Sequence, residues 1–181
     1  MFSYNALFLD RDGVLTPERG YITSPDDLEL LPGVGEAVAA WNAVGVSVFV
    51  YTNQSGVGRG YLTLHTLERI HDRLRELLAQ KGATLMEIYA CPHISEDECD
   101  CRKPLPGMLH RASREHGVDL SLSLAVGDTP RDLIAGKEAG CEVALVLSGH
   151  TKVYRADTFA APPPDLSAPD LAQLTEFLLS K

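Results

Sequence analysis

The feature that most constrains the fold of this chain is an alternation of short apolar runs with segments of helical periodicity. Each run has four to six residues, mostly Val, Leu, Ala, Ile, Phe and Tyr, and is followed by a polar stretch or a glycine-led turn. Continuous apolar runs of this length are typical of buried parallel strands, whereas half-exposed strands alternate apolar with polar residues. The runs are Ala6–Leu9, Val46–Tyr51, Leu85–Ala90, Leu122–Val126 and Val143–Leu147.

Segments with apolar residues at every third or fourth position lie between these runs and after the last one. The clearest extends from Thr63 to about Lys81, and Gly82 ends it. The others are predicted over Pro32–Gly45, Pro106–His116, Arg131–Ala139 and Pro169–Leu179. Strands that alternate with helices predict an α/β fold with a doubly wound, Rossmann-like parallel sheet. In such sheets, ligands bind beyond the carboxyl ends of the strands.

Length and charge narrow the function classes. The chain has 181 residues, of which 45% are apolar, and its net charge is -9. This length predicts a single domain over residues 1–181 whose core needs no disulfides. The acidic balance argues against binding of nucleic acid or an anionic membrane, but it is compatible with a small anionic substrate. No run is long enough to span a membrane and no leader-like stretch opens the chain, so we expect a cytoplasmic protein. We expect a monomer because no long exposed apolar patch is evident.

Three polar loops follow predicted strands and should therefore meet on one rim of the sheet. Taken singly, each loop also fits an ordinary turn or helix start. Together, several carboxylates on one rim would repel one another without a divalent cation, and oxygen-only ligands favour Mg²⁺. With the cationic pair Arg102 and Lys103, the set predicts phosphoryl transfer to an aspartate. The loops contribute Asp10 and Asp12, Thr52 and Asn53, and Asp128 and Asp132.

A second cluster combines three cysteines with one histidine. Cys91 and His93 are separated by one residue, and Cys99 and Cys101 follow in the same pattern after five more. Three thiolates and one imidazole complete a tetrahedral set with no open position, which predicts a structural rather than a catalytic zinc. Clustering of this kind favours a reducing compartment over a disulfide scaffold. Cys141 and the other five histidines carry no such motif, and we expect core or surface positions for them.

Four segments resemble, in order, the sequence motifs of haloacid-dehalogenase-type phosphatases. The match runs from about Phe8 to Gly149, with each segment in the expected strand or loop context. The segment Gln54–Gly60, the loop from Cys91 to Lys103 (the cysteine loop) and the segment Cys101–Met108 further resemble a branch that contains sugar-bisphosphate and histidinol-phosphate phosphatases. The four motif segments are Asp10-Arg-Asp-Gly-Val-Leu-Thr16, Thr52-Asn-Gln-Ser55, Lys103-Pro104 and Gly127-Asp128-x-x-x-Asp132.

The resemblance implies a Mg²⁺-dependent phosphatase that works through an aspartyl-phosphate intermediate. It implies that Asp10 is the nucleophile and that Asp12 is the general acid and base. It also implies that Thr52 and Lys103 hold the transferred phosphoryl group. The Mg²⁺ ligands would be Asp10, the backbone carbonyl of Asp12, and Asp128. The residues implied to bind the substrate at the entrance are Glu18, Arg19, Gly20, Tyr21, Asn53, Gln54, Ser55 and Arg102.

The spacing of the motifs leaves no room for the large cap domain that many relatives insert. Asp12 and Thr52 are 40 positions apart, and the 51 positions from Thr52 to Lys103 already hold a helix, a strand and the cysteine loop. A site without a cap predicts a small substrate. The resemblance favours a sugar bisphosphate such as a heptose bisphosphate, a precursor of lipopolysaccharide, with histidinol phosphate as the alternative.

Two alternatives come from other function classes. A phospho-accepting receiver domain also places Asp, Thr and Lys on the rim of a doubly wound sheet, but it lacks a second Asp that would activate water. An inactive, zinc-stabilised binding module is the other alternative. Every catalytic position of the motifs is filled, which counts against it.

Overall fold

One parallel sheet organises the protein, as a computed structural model of the chain shows. The model describes residues 4–180; Met1, Phe2 and Ser3, part of the N-terminus expected to lack a leader, and Lys181 lie outside the described residues. Six strands pair in the order β3-β2-β1-β4-β5-β6, all parallel. The predicted doubly wound sheet is confirmed. The strands are β1 (Ala6–Leu9), β2 (Ser47–Asn53), β3 (Glu87–Cys91), β4 (Ser123–Gly127), β5 (Glu142–Val146) and β6 (Leu166–Ala168).

The helices lie where the 3.6-residue periodicity predicts them, with ends set by local capping. The Thr63 side chain accepts a hydrogen bond from the backbone N–H of Thr66, and Asp170 accepts one from that of Gln173. Such caps satisfy backbone donors that have no partner in the first helical turn. Within residues 4–180 the α-helices are α1 (Val34–Ala43), α2 (Leu64–Ala79), α3 (Gly107–His116), α4 (Pro130–Glu138) and α5 (Leu171–Leu179).

The sheet separates two hydrophobic cores, because successive side chains of a strand point to opposite faces. In β1, Leu7 and Leu9 pack on one side, and Ala6 and Phe8 pack on the other. The first core is closed by α1, α2 and α5, and the second by α3 and α4. Helices on both faces hold the strands rigidly, so the loops beyond their carboxyl ends start from fixed positions.

The structure adds three short elements that periodicity did not predict. These are β6 and two 3-10 helices, over Pro25–Asp27 and Leu120–Leu122. The strand β6 follows a proline-rich segment, residues 161–165. Its pairing is fixed by Asp165, whose backbone N–H donates to the Val143 carbonyl at 3.0 Å and whose carboxylate accepts from the Val143 N–H at 2.8 Å. The edge strand therefore depends on contact with β5 rather than on an apolar pattern of its own.

The path of the chain determines where a ligand can bind. The chain winds outward from β1 to β3 and then from β4 to β6, so the winding reverses between β1 and β4. At such a reversal the loops diverge and leave a crevice beyond the carboxyl ends of the strands. Within the described residues, the crossovers from β1 to β2 and from β2 to β3 contain no inserted domain, in agreement with the predicted absence of a cap. No helix among residues 4–180 is long and apolar enough to cross a membrane.

Candidate active site

A cavity of about 280 Å³ lies beyond the carboxyl ends of β1, β2 and β4. Most of the residues predicted for the site from the sequence line it. Two do not: the Arg19 guanidinium pairs with Glu29 near the surface, and Gln54 is buried behind the wall. The lining residues are Asp10, Asp12, Glu18, Gly20, Tyr21, Thr52, Asn53, Ser55, Arg102, Lys103, Asp128, Thr129, Arg131, Asp132 and His150.

A buried lysine lies at the base of the cavity. The Lys103 ammonium is 3.0 Å from an Asp10 oxygen and 2.6 Å from an Asp132 oxygen. It also donates to the carbonyl of Tyr51 at 2.9 Å and lies 4.3 Å from the centre of the Tyr51 ring. Only 3% of the Lys103 side chain is exposed. Although burial alone disfavours the charged form, the two carboxylates outweigh it and raise the pKa of Lys103, which is therefore a fixed positive charge.

The side chain of Asn53 fixes the backbone of this lysine. Its Oδ1 accepts from the Lys103 N–H at 2.9 Å, and its Nδ2 donates to the Lys103 carbonyl at 3.0 Å. Asn53 was expected to bind substrate. Asn53 lines the cavity, and its amide also attaches the loop before α3 to the end of β2.

The two aspartates of the first motif have different surroundings. Asp10 faces Lys103, whereas the Asp12 carboxylate is bonded to a second cation, Arg11. The Arg11 Nε and Nη2 donate to the two oxygens of Asp12 at 3.0 and 2.9 Å, and Gln54 Nε2 donates to Asp12 at 2.8 Å. Arg11 also donates to Gln54 Oε1 at 2.9 Å. Asp12 is thus held by a planar fork with both of its oxygens fixed in orientation.

Three carboxylates converge in a way that calls for a cation. Oxygens of Asp10, Asp128 and Asp132 lie within 4.8 Å of one another. Burial raises the pKa of Asp10 well above its ordinary value, an effect that Lys103 opposes. Burial, followed by the charge of Asp132, raises the pKa of Asp128 to about 6. Three buried carboxylates against one lysine leave excess negative charge, and the all-oxygen donor set fits Mg²⁺.

The surroundings of Asp128 require glycine at two positions. A Cβ atom added at Gly13, where φ is +85°, or at Gly149 would overlap the Asp128 carboxylate. The backbone therefore closes around this carboxylate from two loops that are far apart in sequence. The N–H of His150 donates to Asp128 at 2.5 Å, so the carboxylate has a fixed position.

The predicted metal-ligating cysteines and histidine come together beside the site. Cys91 Sγ lies 3.5 Å from His93 Nδ1 and 3.9 Å from Cys99 Sγ, and His93 Nδ1 lies 3.3 Å from Cys101 Sγ. None of these cysteines forms a disulfide, and Cys141 is buried elsewhere. The cysteine loop also reaches the cavity, because Arg102 lines it. Arg102 Nη1 donates to the carbonyl of His93 at 3.0 Å, which connects this part of the loop to the metal-ligating residues.

Three residues at or near the site were missed by sequence reasoning. Arg11 is fully buried beneath Asp12, Arg131 lines the cavity from the first turn of α4, and His150 comes from the loop after β5. The His150 ring lies 3.4 Å from Glu18 and 3.7 Å from Asp128. Arg11 and Arg131 are adjacent to motif carboxylates, which is a usable signal. His150 offered no local signal, because only the folding of two distant loops brings it to Asp128.

Known proteins share both the sequence and the fold. The HAD-hydrolase-like family matches residues 100–174. The D-glycero-beta-D-manno-heptose-1,7-bisphosphate 7-phosphatase of Pseudomonas aeruginosa is 43% identical over 98% of this chain and 99% of its own length. The D,D-heptose 1,7-bisphosphate phosphatase of Bordetella bronchiseptica, solved with magnesium and phosphate, superposes with a TM-score of 0.91 at 40% identity, over 97% of this chain and 98% of that one. The corresponding enzyme of Burkholderia thailandensis gives a TM-score of 0.74 at 32% identity, over 98% of this chain and 99% of that one.

These similarities define the class as hydrolases of the haloacid-dehalogenase type, to which the fold and the paired aspartates after β1 also point. Within that class, the chain belongs to the family of the D-glycero-D-manno-heptose-1,7-bisphosphate 7-phosphatases.

Replacing Lys103 by Met removes the cation between Asp10 and Asp132 while keeping much of the side-chain volume. Measured by urea unfolding in EDTA at neutral pH, the free energy of unfolding should fall by about 3–5 kcal/mol, because a buried charge loses its partner. An acid whose folded pKa is raised favours the folded state at low pH, and it loses that contribution as pH rises through the folded pKa. The deficit should therefore shrink as the pH is lowered, because Asp10 then becomes neutral.

The matched control is Lys152→Met, since within residues 4–180 this exposed lysine donates a single hydrogen bond, to the Ser148 carbonyl. Its effect should stay within about 0.5 kcal/mol. A deficit of the Lys103 variant that does not change with pH would contradict an origin in the buried carboxylates.

Proposed function

We propose that this protein is a Mg²⁺-dependent phosphatase that removes the 7-phosphate of D-glycero-D-manno-heptose 1,7-bisphosphate through an aspartyl-phosphate intermediate. The carrying observation is the contrast between the two aspartates of the first motif. Asp10 is buried against a lysine, and Asp12 is held separately by Arg11 and Gln54 in the same cavity. Two carboxylates in distinct environments can divide the nucleophilic and acid–base roles. The relatives named above are phosphatases of this sugar bisphosphate.

In the first step, an Asp10 oxygen attacks the phosphorus of the 7-phosphate, and the bond from phosphorus to the sugar oxygen breaks. Asp12 gives its proton to that leaving oxygen, which departs as the alcohol. Lys103 and the Thr52 hydroxyl stabilise the charge spread over the transferring phosphoryl oxygens. Asp10, Asp128 and the Asp12 carbonyl would hold Mg²⁺, which would supply further neutralisation of that charge.

In the second step, water attacks the phosphorus of the aspartyl phosphate. Asp12, now ionised, accepts a proton from the water, and the bond from phosphorus to the Asp10 oxygen breaks. Inorganic phosphate leaves, Asp10 is again a carboxylate, and Asp12 again carries a proton. The four hydrogen bonds to Asp12 from Arg11, Gln54 and Thr16 hold this group in one place for both steps.

The shape and charge of the cavity support a small substrate with a second anionic group. Its volume of about 280 Å³ suits a single phosphorylated sugar. Arg102 and Arg131 line the cavity and also a neighbouring depression, so two guanidinium groups flank its mouth. A phosphate at the far end of the sugar would meet them, whereas histidinol phosphate has an imidazole ring at that end and a cationic amine near its one phosphate. This difference favours the bisphosphate over the alternative substrate.

We propose that Cys91, His93, Cys99 and Cys101 bind one structural Zn²⁺. A tetrahedral site with Zn–S of about 2.3 Å and Zn–N of about 2.0–2.1 Å places its ligands about 3.5–3.8 Å apart. The separations of 3.3–3.9 Å between neighbouring ligand atoms fit that geometry without rearrangement. The zinc would fix the loop that carries Arg102 and Lys103. We further propose that residues 1–181 form one domain that works as a monomer in the reducing cytoplasm, where thiols of this kind persist.

The zinc proposal predicts one zinc per chain by elemental analysis. Cys99→Ser should reduce the zinc content and lower turnover of an aryl phosphate, because the loop that positions Lys103 loses its anchor. Cys141→Ala is the control, since this buried cysteine lies outside the cluster and should leave the zinc content unchanged. Full activity in a zinc-free Cys99 variant would refute the role of the metal in positioning the loop.

The reaction itself is tested by phosphate release from the heptose bisphosphate in the presence of Mg²⁺. Asp10→Asn should lower kcat by more than about a hundredfold, since the amide keeps the shape but removes the nucleophile. Asp12→Asn should also lower kcat strongly on the sugar bisphosphate. The variant should still form the aspartyl phosphate from 4-nitrophenyl phosphate, whose leaving group needs no acid. The control Asp72→Asn alters an exposed carboxylate of α2 and should keep wild-type activity. Activity of Asp10→Asn above about one hundredth of wild type would contradict the assignment.

Recognition of the second phosphate is tested with Arg102→Ala. The variant should lose about 1.5–3 kcal/mol of transition-state stabilisation on the bisphosphate, the range for charge-assisted hydrogen bonds. It should barely change kcat/KM on 4-nitrophenyl phosphate, with Arg73→Ala on the outer face of α2 as the matched control. Arg102 also bonds the carbonyl of His93, so a merely structural role would lower kcat/KM on both substrates equally, and that result would overturn substrate recognition.

A further inference from the structure

Two buried nitrogen atoms behind the active site have no hydrogen-bond partner among residues 4–180. One is Nη1 of Arg11, and the other is Nε2 of His71. Arg11 is fully buried, and His71, on α2, is 6% exposed. Buried polar groups are nearly always bonded to protein or to ordered water, so each of these atoms requires an explanation. The phosphatase reaction proposed above assigns no role to His71.

The two atoms are chemically complementary. A guanidinium group can only donate, and Nη1 is the nitrogen that remains after Nε and Nη2 of Arg11 are bonded to Asp12 and Gln54. A neutral imidazole has one nitrogen that can accept. Burial, followed by the positive charges of Arg11 and Arg75, lowers the pKa of His71 to about 3, so the ring is neutral. His71 lines a cavity together with Ala90 and Pro92, at the end of β3. The Cys91 carbonyl between these two residues accepts from the Gln54 N–H at 2.7 Å, and the Gln54 side chain accepts from Arg11, so His71 and Arg11 both lie beside this segment.

We propose that His71 is a positioning residue: one buried water accepts a hydrogen bond from Arg11 Nη1 and donates one to His71 Nε2, and this bridge fixes the guanidinium group that orients Asp12. The proton of the ring then lies on Nδ1. Each nitrogen of Arg11 has a partner in this arrangement, so the guanidinium plane cannot rotate without breaking bonds on two sides. The Asp12 carboxylate, bonded through both oxygens, takes its orientation from that plane. The inference rests on the proposed function, since it concerns the acid–base group of that reaction.

The test compares His71→Leu, which removes the acceptor, with His71→Gln, which can place an amide oxygen near the position of Nε2. Turnover is measured on the heptose bisphosphate, whose leaving group needs a proton. The pre-steady-state release of 4-nitrophenolate from its phosphate is measured in parallel, because that step needs no acid. Folding of each variant is checked by thermal unfolding.

His71→Leu should lower kcat on the bisphosphate by about tenfold or more, part of the contribution of a general acid, and leave KM nearly unchanged. Its first turnover of nitrophenyl phosphate should stay near the wild-type rate, followed by slow hydrolysis of the aspartyl phosphate. His71→Gln should recover most of the loss. In an Arg11→Lys background, which lacks the guanidinium group, His71→Leu should lower kcat by less than about a further twofold, because the two residues act as a unit.

Three results would overturn the inference while leaving the proposed function intact. These are an equal loss in the first aryl turnover and in sugar turnover, no recovery with Gln, or a full additional loss in the Arg11→Lys background. If the wild-type protein released no phosphate from either substrate, the proposed function would itself fail, and the inference with it.

Discussion

The ion pairs of the buried Lys103 are the interaction on which the rest of the site depends. They join three segments that follow different strands: the loop after β1 through Asp10, the first turn of α4 through Asp132, and the cysteine loop that carries the lysine. A buried carboxylate pair without a cation would be costly, and a buried lysine without carboxylates equally so. The ion pairs of Lys103 therefore fix the relative positions of these three segments.

The two ends of the cysteine loop have different roles. At one end its thiols and His93 converge at distances suited to a metal, and at the other Lys103 enters the cavity. Between them, Arg102 donates to the carbonyl of His93, and the Asn53 amide holds the Lys103 backbone from both sides. These hydrogen bonds attach a loop with little regular structure of its own to the end of β2. In a protein without a cap, such a loop can form the wall that confines a small substrate.

Much of the architecture could be predicted because its signals are local in the chain. The parallel sheet follows from apolar runs separated by helical periodicity, and the cluster around Cys91 follows from its spacing. β6 could not be predicted in this way, because its three residues are held by the contacts of Asp165 with β5 and not by a pattern of their own. The two 3-10 helices are similarly too short to leave a periodic signal.

The sequence by itself determined the fold class, the order of the motifs and the residue types on the rim of the sheet. Only the tertiary structure decided how those residues are used. It placed Lys103 between two carboxylates, turned Arg19 to the surface, buried Arg11 beneath Asp12 and brought His150 to the cavity. The physical reason is the range of each interaction. Periodicity and capping act over a few neighbouring residues, whereas these ion pairs and hydrogen bonds mostly join groups far apart in the chain, which meet only after the sheet and its two cores have formed.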